Sequence, residues 1–480
     1  MKVKHFLVTL GLLFVTGCLY LAIVINDHPS VLDPDPEAPG AVLIENIRLV
    51  SMAPDAPPVE TARSVLVVGD RIEAIDVPGR IKAPENALIV QGRGRTLLPG
   101  LIDAHVHVWD EAELAGYLAH GVTGIRNMSG MPFHIPLARR LDAGEILGPD
   151  FMTTGPILNS PGPNQQDNQQ IVVTAEEARA AVQAQYEAGF RMLKFYSNLS
   201  RDARDAALEE ARRLGMTYTG HSPEGVRLAG MPHDKPFSIS FEESLGRGFQ
   251  TIEHTESIVW HGLRDDPDQG KMRALAAKIA AAGDVVTPTL IAHDNLVRVA
   301  ATKGAYLDRP GVDTVNPALR YLSKGDYEFW SSQDPAEYEA PRGEFYRTAT
   351  RMMHEAGVTL VAGSDAGIFV NIPGAALTRE LELLVRAGLT PHEALVTATR
   401  NSAEALGFGK TGIIAPGYRA NLILVESDPL ENISAVENPA AVMIGGYWLD
   451  QAAVEQMRTG AGETSMIRSL WRAAALLLSL

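Results

Sequence analysis

Two histidines separated by one residue, His105 and His107, carry the first chemical signal in this chain. They end the run LPGLIDAHVH, residues 98–107. In an extended strand, alternate side chains point to the same face, so the two imidazoles would project together. Imidazole nitrogens bind divalent ions, and strand ends meet at the mouth of a parallel barrel. The pair predicts a metal site, although two unconnected histidines on a polar strand face would have the same spacing.

Four more polar residues follow short strand-like segments: Lys194, His221, His254 and Asp365. Taken singly, they are compatible with structural roles, namely a lysine with a buried stem, a capped strand end, a core histidine and a helix N-cap. With the histidine pair, however, they fall at the predicted carboxyl ends of strands one, four, five, six and eight of one barrel. Loops at that end hold the active sites of barrel enzymes, so the set predicts one site.

The elements that must position these residues alternate between strands and helices. Strand-like segments separated by helical stretches, such as residues 175–188 and 202–214, predict an α/β protein with a (β/α)8 TIM barrel over residues 98–407. Residues 41–97 and 408–450 are β-rich and predict a small β-sandwich domain built from both ends of the chain. The connection at residues 291–346 is too long for a plain loop and predicts a lid or a substrate-binding insertion.

The composition of the chain excludes several kinds of function and of site. The chain has 480 residues and a formal net charge of -16. No run rich in lysine and arginine is present, so nucleic acid is not expected as a partner. The only cysteine, Cys18, precedes the predicted folded body, which excludes disulfides and thiolate metal sites there. An oligomer is compatible with this composition but is not predicted by it.

The two ends of the chain suggest contact with a membrane. Lys2 and Lys4 precede an uncharged stretch, residues 6–25, which is long enough to cross a bilayer. We expect a signal-anchor helix within residues 1–28, a Pro-rich linker without helix at 29–40, and a periplasmic or extracellular catalytic domain in a bacterium. The run VTGC, residues 15–18, resembles a lipoprotein processing box, so lipid attachment at Cys18 is the alternative, and a buried cytosolic helix is a third possibility. Residues 451–480 predict a helical tail that either packs on the body or touches the membrane.

Several short runs resemble the amidohydrolase superfamily, in which metal-dependent hydrolases share a barrel. They are PGLIDAH (99–105), GVT (121–123), IEH (252–254), PTL (288–290) and GIIAPG (412–417). The resemblance covers about residues 41–450 and is most similar to the imidazolonepropionase-like and prolidase-like branch. Two positions depart from the usual pattern, because Asn127 and Asn421 stand where aspartate is usual.

This resemblance implies a site with two divalent metal ions, most naturally zinc, although manganese and iron suit the same ligands. By resemblance, one ion is held by His105, His107 and Asp365, and the other by His221 and His254. Lys194 would be carboxylated, because a protonated lysine has no lone pair for a metal. Asp365 would also take a proton from the bridging water and pass it to the leaving nitrogen.

The leading hypothesis is a metal-dependent hydrolase of a C–N bond in an amide, a cyclic amide or a dipeptide-like small molecule. The candidate substrate contacts are Tyr196, Arg126 and His293. One alternative is a mononuclear deaminase of the same superfamily, suggested by the run HSPE, residues 221–224, and opposed by Lys194. Another is an inactive, membrane-tethered binding protein with a degenerate site.

Overall fold

The structure is a computed structural model that describes residues 16–17, 19–25, 27–35, 38–163, 165–226, 237–338 and 342–480. These residues form eighteen strands, numbered β1–β18 along the chain. Ten central strands are parallel and form sheets of seven and three strands, whereas the other eight come from the two ends of the sequence. The α/β class, the parallel sheet and the additional sheet from both termini are therefore as predicted.

The terminal strands form one mixed sheet. They are β1 (Ala41–Leu49), β2 (Glu60–Val68), β3 (Arg71–Asp76), β4 (Leu88–Gln91), β5 (Thr96–Pro99), β16 (Leu422–Val425), β17 (Ala441–Ile444) and β18 (Tyr447–Leu449). Gly69, with φ +57°, turns the chain between β2 and β3, a conformation that costs glycine little. Because β1 pairs with β2, β4 and β5, all eight strands join one hydrogen-bonded sheet. Both ends of the chain therefore contribute to this terminal sheet.

The parallel strands close into a ring. They are β6 (Leu101–Val106), β7 (Val122–Asn127), β8 (Asp150–Thr153), β9 (Ile157–Asn159), β10 (Gln169–Ile171), β11 (Met192–Phe195), β12 (Thr217–Gly220), β13 (Ile252–Glu253), β14 (Val285–Thr287) and β15 (Thr359–Leu360). One gap is bridged where the Gly155 amide donates to the Met192 carbonyl at 2.8 Å. The ring closes at the site itself, because the Asp365 amide donates to the His105 carbonyl at 2.8 Å.

Helices follow the strands around the ring. In the described ranges they are Glu113–Ala119, His134–Asp142, Ala175–Glu187, Arg201–Leu214, Thr255–Leu263, Gln269–Ala282, Leu290–Ala301, Pro317–Leu322, Lys324–Ser332, Pro335–Tyr338, Glu344–Glu355, Ala375–Ala387, Pro391–Thr397, Arg400–Leu406, Gln451–Gly460 and Met466–Ser479. Side-chain hydrogen bonds cap the first turn of several helices. Thr174 and Glu177 form a capping box at the start of Ala175–Glu187, and the Ser200 side chain accepts from the Ala203 amide at the start of Arg201–Leu214. The predicted insertion is largely helical.

The N-terminal linker differs from the prediction in one respect. The linker contains a short 3-10 helix, Ser30–Leu32, because Leu32 is fully buried and its carbonyl accepts from the Leu147 amide. The predicted helical tail consists of two helices, Gln451–Gly460 and Met466–Ser479. Within the described ranges, no helix has the length and apolar character needed to cross a bilayer. Residues 1–15 of the predicted anchor, and Cys18, lie outside those ranges.

Candidate metal centre

The end of β6 brings the histidine pair against the carboxylate that follows β15. Asp365 Oδ1 lies 3.4 Å from His105 Nε2 and 3.1 Å from His107 Nε2. One ligand atom from each of the three residues falls within 4.8 Å of the others. Strand alternation accounts for the two histidines, and ring closure beside Ala366 brings the carboxylate to them.

The chemistry of these three groups fits a divalent cation. Burial lowers the pKa of His105 and of His107, which favours the neutral imidazole that offers a lone pair to a metal. Burial alone would raise the pKa of Asp365, but the contacts with both histidines lower it well below its usual range. Asp365 Oδ1 is buried and accepts no hydrogen bond. A buried, ionised and unsatisfied carboxylate oxygen between two neutral imidazoles is a donor set for a metal ion.

The remaining three predicted ligands lie beside this triad. The His254 ring centroid is 4.7 Å from that of His105 and 4.6 Å from that of His221. Lys194 Nζ lies 3.1 Å from His105 Nε2. The structure therefore gathers all six predicted ligand residues at one end of the barrel.

Lys194 is buried among these rings, with 2% of its surface exposed. Burial is the largest influence on its amine and lowers the pKa of Lys194 to about 8, against the opposing effect of Asp365. A larger fraction of this amine is therefore neutral at pH 7 than on a surface lysine. Only a neutral amine has the lone pair needed to react with carbon dioxide.

Polar partners orient three of the histidine rings. His105 Nδ1 lies 2.7 Å from Glu253 Oε2 and donates a hydrogen bond to this carboxylate. His254 Nδ1 lies 2.6 Å from Thr289 Oγ1, and the hydroxyl itself donates to the Pro288 carbonyl. Since Nδ1 carries the proton in both rings, Nε2 is left as the metal-binding nitrogen. Ser257 Oγ makes the corresponding contact with His221 Nδ1 at 3.2 Å.

Arg126 is the predicted substrate contact that the structure places elsewhere. Its side chain is fully buried inside the barrel. Nε donates to the Ala104 carbonyl at 2.7 Å, and Nη2 donates to Glu253 Oε1 at 2.9 Å. The other guanidinium bonds go to Thr219, Gln250 and Thr251. Arg126 is therefore a positioning residue, because it fixes the carboxylate that orients His105.

We expect Glu253→Gln to lower metal affinity roughly 10–100-fold, as loss of an outer-shell partner usually does. The substitution also leaves the Arg126 charge buried without its counter-ion, so thermal stability should fall by about 3–5 kcal/mol. Metal titration against a chelator and thermal unfolding measure the two effects. Thr251→Val is the control, because it removes one donor to Glu253 and one acceptor of Arg126 but keeps the ion pair between them. Equal metal affinity in Glu253→Gln and the unmodified chain would refute the positioning role.

The strand ends that carry the site have unusual backbone. His254, Thr289 and Asp365 have φ of +69°, +48° and +54°, a region that costs a non-glycine residue energy. Asn371 holds this region in place: Nδ2 donates to the Ser364 carbonyl at 2.9 Å and to the Asp365 carbonyl at 3.1 Å. The loop after β15 is thus fixed by its own side chains.

The helical insertion fastens the same loop from outside. Asn295 Nδ2 donates to Asn371 Oδ1 at 2.5 Å, and Tyr306 donates its hydroxyl proton to Asn295 Oδ1 at 3.0 Å. The Tyr327 hydroxyl donates to the Phe369 carbonyl at 2.6 Å. The segment predicted as a lid is therefore tied to the backbone that carries Asp365.

The other two predicted substrate contacts are Tyr196, which lies beside the ligand cluster, and His293, which lies on the helical insertion. The Tyr196 ring lies against His221, with ring centroids 4.2 Å apart, as expected for a residue two positions after Lys194. His293 is on the helix Leu290–Ala301 and packs edge-on against Tyr346, with centroids 5.0 Å apart. Tyr196 thus borders the ligand cluster, and His293 belongs to the layer of helices above β14.

Comparison with known proteins identifies the class. The model of the amidohydrolase family matches residues 96–449, which contain the whole barrel and all six clustered residues. The chain belongs to this family.

Two curated relatives give the range of similarity. Ochratoxinase from Aspergillus niger is 38% identical over 91 residues, and this match spans only 18% of the length of either protein. Imidazolonepropionase from Rubrobacter xylanophilus is 24% identical over 392 residues, covering 76% of this chain and 84% of that protein.

Solved structures share the fold. A Xaa-Pro dipeptidase with methionine bound in its active site is 21% identical, covers 85% of this chain and 100% of its own, and superposes with a TM-score of 0.64. The bottromycin amidohydrolase is 24% identical, covers 91% of this chain and 96% of its own, and has a TM-score of 0.68. At these identities, the likenesses show that the chain shares the fold of these proteins.

Proposed function

We propose that this protein hydrolyses the C–N bond of an amide, a cyclic amide or a dipeptide-like small molecule with the help of two divalent metal ions, most naturally zinc. The observation that carries the proposal is the gathering of four histidines, a lysine and an aspartate at the carboxyl end of one barrel. Family membership supports the hydrolase class, and the six side chains support the metal count.

Each clustered residue has a role in this proposal. His105, His107 and Asp365 would hold one ion, and His221 and His254 the second. Lys194, carboxylated by carbon dioxide, would contact both ions. When bound, such a pair lowers the pKa of water toward about 7 and polarises a carbonyl.

Proton transfer falls to Asp365. Its carboxylate is ionised, so it accepts the proton of the attacking water and delivers it to the leaving nitrogen. Because Asp365 first accepts this proton and then donates it, the leaving nitrogen does not depart as an anion.

Tyr196 supports a dipeptide-like substrate. Burial raises the pKa of its phenol above the ordinary value, so the group is neutral and donates a hydrogen bond. A neutral donor beside His221 suits a substrate carboxylate or the oxygen of the carbonyl under attack. The solved Xaa-Pro dipeptidase holds methionine in its active site, which supports an amino-acid-like substrate here.

Metal analysis and a substrate screen test the proposal. We expect about two ions per chain. Hydrolysis should be found among dipeptides, acyl amino acids and lactams, with lactones included as a test of C–O cleavage. One ion per chain with release of ammonia would favour the deaminase, in which Glu224 would move protons. Absence of bound metal and of turnover would favour the binding protein.

We also propose that the N-terminal segment tethers the catalytic domain on the periplasmic or outer side of a bacterial membrane. The support is the uncharged stretch at residues 6–25 behind Lys2 and Lys4. Protease added to cells with a permeabilised outer membrane should digest the domain. Its survival there would show that the orientation is wrong, and a Cys18→Ala precursor of higher mass would indicate a lipid anchor instead of a spanning helix.

A further inference from the structure

The last helix, Met466–Ser479, has its polarity reversed relative to a soluble surface helix. The residues that it buries include Arg468, Ser469 and Arg472. Its exposed large side chains are all apolar and lie on one stripe at helical spacing: Met466, Ile467, Leu470, Trp471, Leu477 and Leu478. We call these six residues the outer face. Leu478 is 90% exposed, Leu477 55% and Trp471 50%, so the outer face is open in the described chain.

Buried ion pairs fix this orientation. Arg468 binds Asp110 through two bonds, Nε to Oδ2 at 2.8 Å and Nη2 to Oδ1 at 2.6 Å. Arg472 Nη2 lies 3.2 Å from Glu111 Oε1, and its guanidinium stacks 3.9 Å above the Phe133 ring. Turning the apolar stripe inward would break a two-bond charge pair inside the protein, which is costly. The outer face therefore stays outward and needs a partner that accepts apolar side chains.

The N-terminal chain emerges next to this helix. Arg468 Nη1 donates to the Asp27 carbonyl at 3.0 Å. Ile25 and Trp471 line one cavity of about 470 Å³. Among the described residues before Asp27, Leu19, Tyr20 and Ile23 are each at least 60% exposed. The described end of the uncharged stretch, residues 19–25, thus reaches the body beside the outer face, with Ile25 and Trp471 on one cavity.

We propose that the outer face docks on a lipid bilayer, as a second membrane contact beside the N-terminal segment. A bilayer accommodates both surfaces at once, because an apolar chain that enters the lipid beside the helix brings the helix to the same interface. A helix of this kind lies in the interface plane with its apolar side about 5–10 Å into the headgroup and acyl boundary. Exposed apolar patches rarely persist on soluble monomers without such a role. The loop after β6 then lies behind the helix, because its Asp110 pairs with Arg468 on the inner side.

Spin labelling of the full chain tests this contact. The single cysteine is removed by Cys18→Ser, and a nitroxide is placed at Leu478→Cys. Phe329→Cys is the matched control, because Phe329 is 55% exposed on the helix Lys324–Ser332 of the insertion. The protein is reconstituted into vesicles of phosphatidylethanolamine and phosphatidylglycerol. We expect the label at 478 to be more accessible to oxygen than to an aqueous nickel chelate, and the label at 329 to show the reverse.

Two results would overturn the proposal. The first is a label at 478 that is as accessible to the nickel chelate as the control label at 329. The second is a label shielded from both reagents with dipolar coupling between chains, which would assign the outer face to a second copy of the protein. If Leu478→Cys fails to fold, Leu470→Cys provides the same measurement. Leu470 lies on the same stripe and is 40% exposed.

Discussion

Lys194→Ala is expected to remove most of the activity and most of the bound metal together. The lysine amine lies 3.1 Å from His105 Nε2 inside the ligand cluster, where a carboxylated side chain would contact both ions. Loss of that contact should cost more than the roughly 10–100-fold effect of an outer-shell partner. Metal content and the rate of amide hydrolysis, measured on the same preparation, test the expectation.

Chemical rescue makes this prediction specific. A short carboxylic acid fits the space left by the alanine and supplies the carboxylate that a carboxylated lysine would provide, so it should restore part of both signals. Lys271→Ala is the control, since that lysine is on the surface and pairs with Asp266. Full metal loading with full activity in Lys194→Ala would contradict the two-metal proposal and favour the deaminase.

The parts of the site that were predictable are those set by regular secondary structure. His105 lies in the strand β6 and His107 directly follows it, so alternation places both imidazoles on one face. The helix predicted at residues 175–188 is Ala175–Glu187, because a capping box starts it and apolar periodicity continues it. Lys194 and Tyr196 follow the same alternation at the end of β11. Family motifs extended this reasoning from single strands to one common site.

The outer-shell interactions were not predictable, because they depend on irregular backbone and on distant chain segments. Alternation would point Glu253 and His254 to opposite faces, but φ of +69° at His254 turns both toward His105. The bond between Arg126 and Glu253 joins residues 127 positions apart, and no local pattern signals it. From its sequence position, an arginine at a strand end can equally bind a substrate carboxylate or position another side chain. The complete burial of Arg126 distinguishes these two roles.

The reversed polarity of the last helix could not be predicted from the sequence, for a related reason. Sequence periodicity shows that apolar and charged residues lie on different sides of Met466–Ser479, but not which side faces the body. Asp110 and Glu111, more than 350 positions earlier in the chain, decide that question by pairing with Arg468 and Arg472.

Asp365→Asn is expected to abolish turnover while preserving the fold and much of the bound metal. The amide has the volume of the carboxylate and retains an oxygen beside His105 and His107, but it cannot accept and return a proton. Loss of a general acid–base group costs about 10²–10⁴-fold in rate. Steady-state rates, metal content and thermal unfolding separate these effects.

The pH dependence of the unmodified enzyme provides a second measurement of the same group. The contacts with His105 and His107 lower the pKa of Asp365, so its carboxylate should stay ionised as pH falls through the usual range of that group. Activity is then lost when the bound water and Asp365 gain a proton as one coupled pair, and the acidic limb reports that pair rather than either group alone. Asp450→Asn is the matched control, because Asp450 caps the helix Gln451–Gly460 and asparagine caps equally well. Turnover in Asp365→Asn close to that of Asp450→Asn would contradict the proton-transfer role of Asp365 while leaving its role as a metal ligand open to the metal analysis.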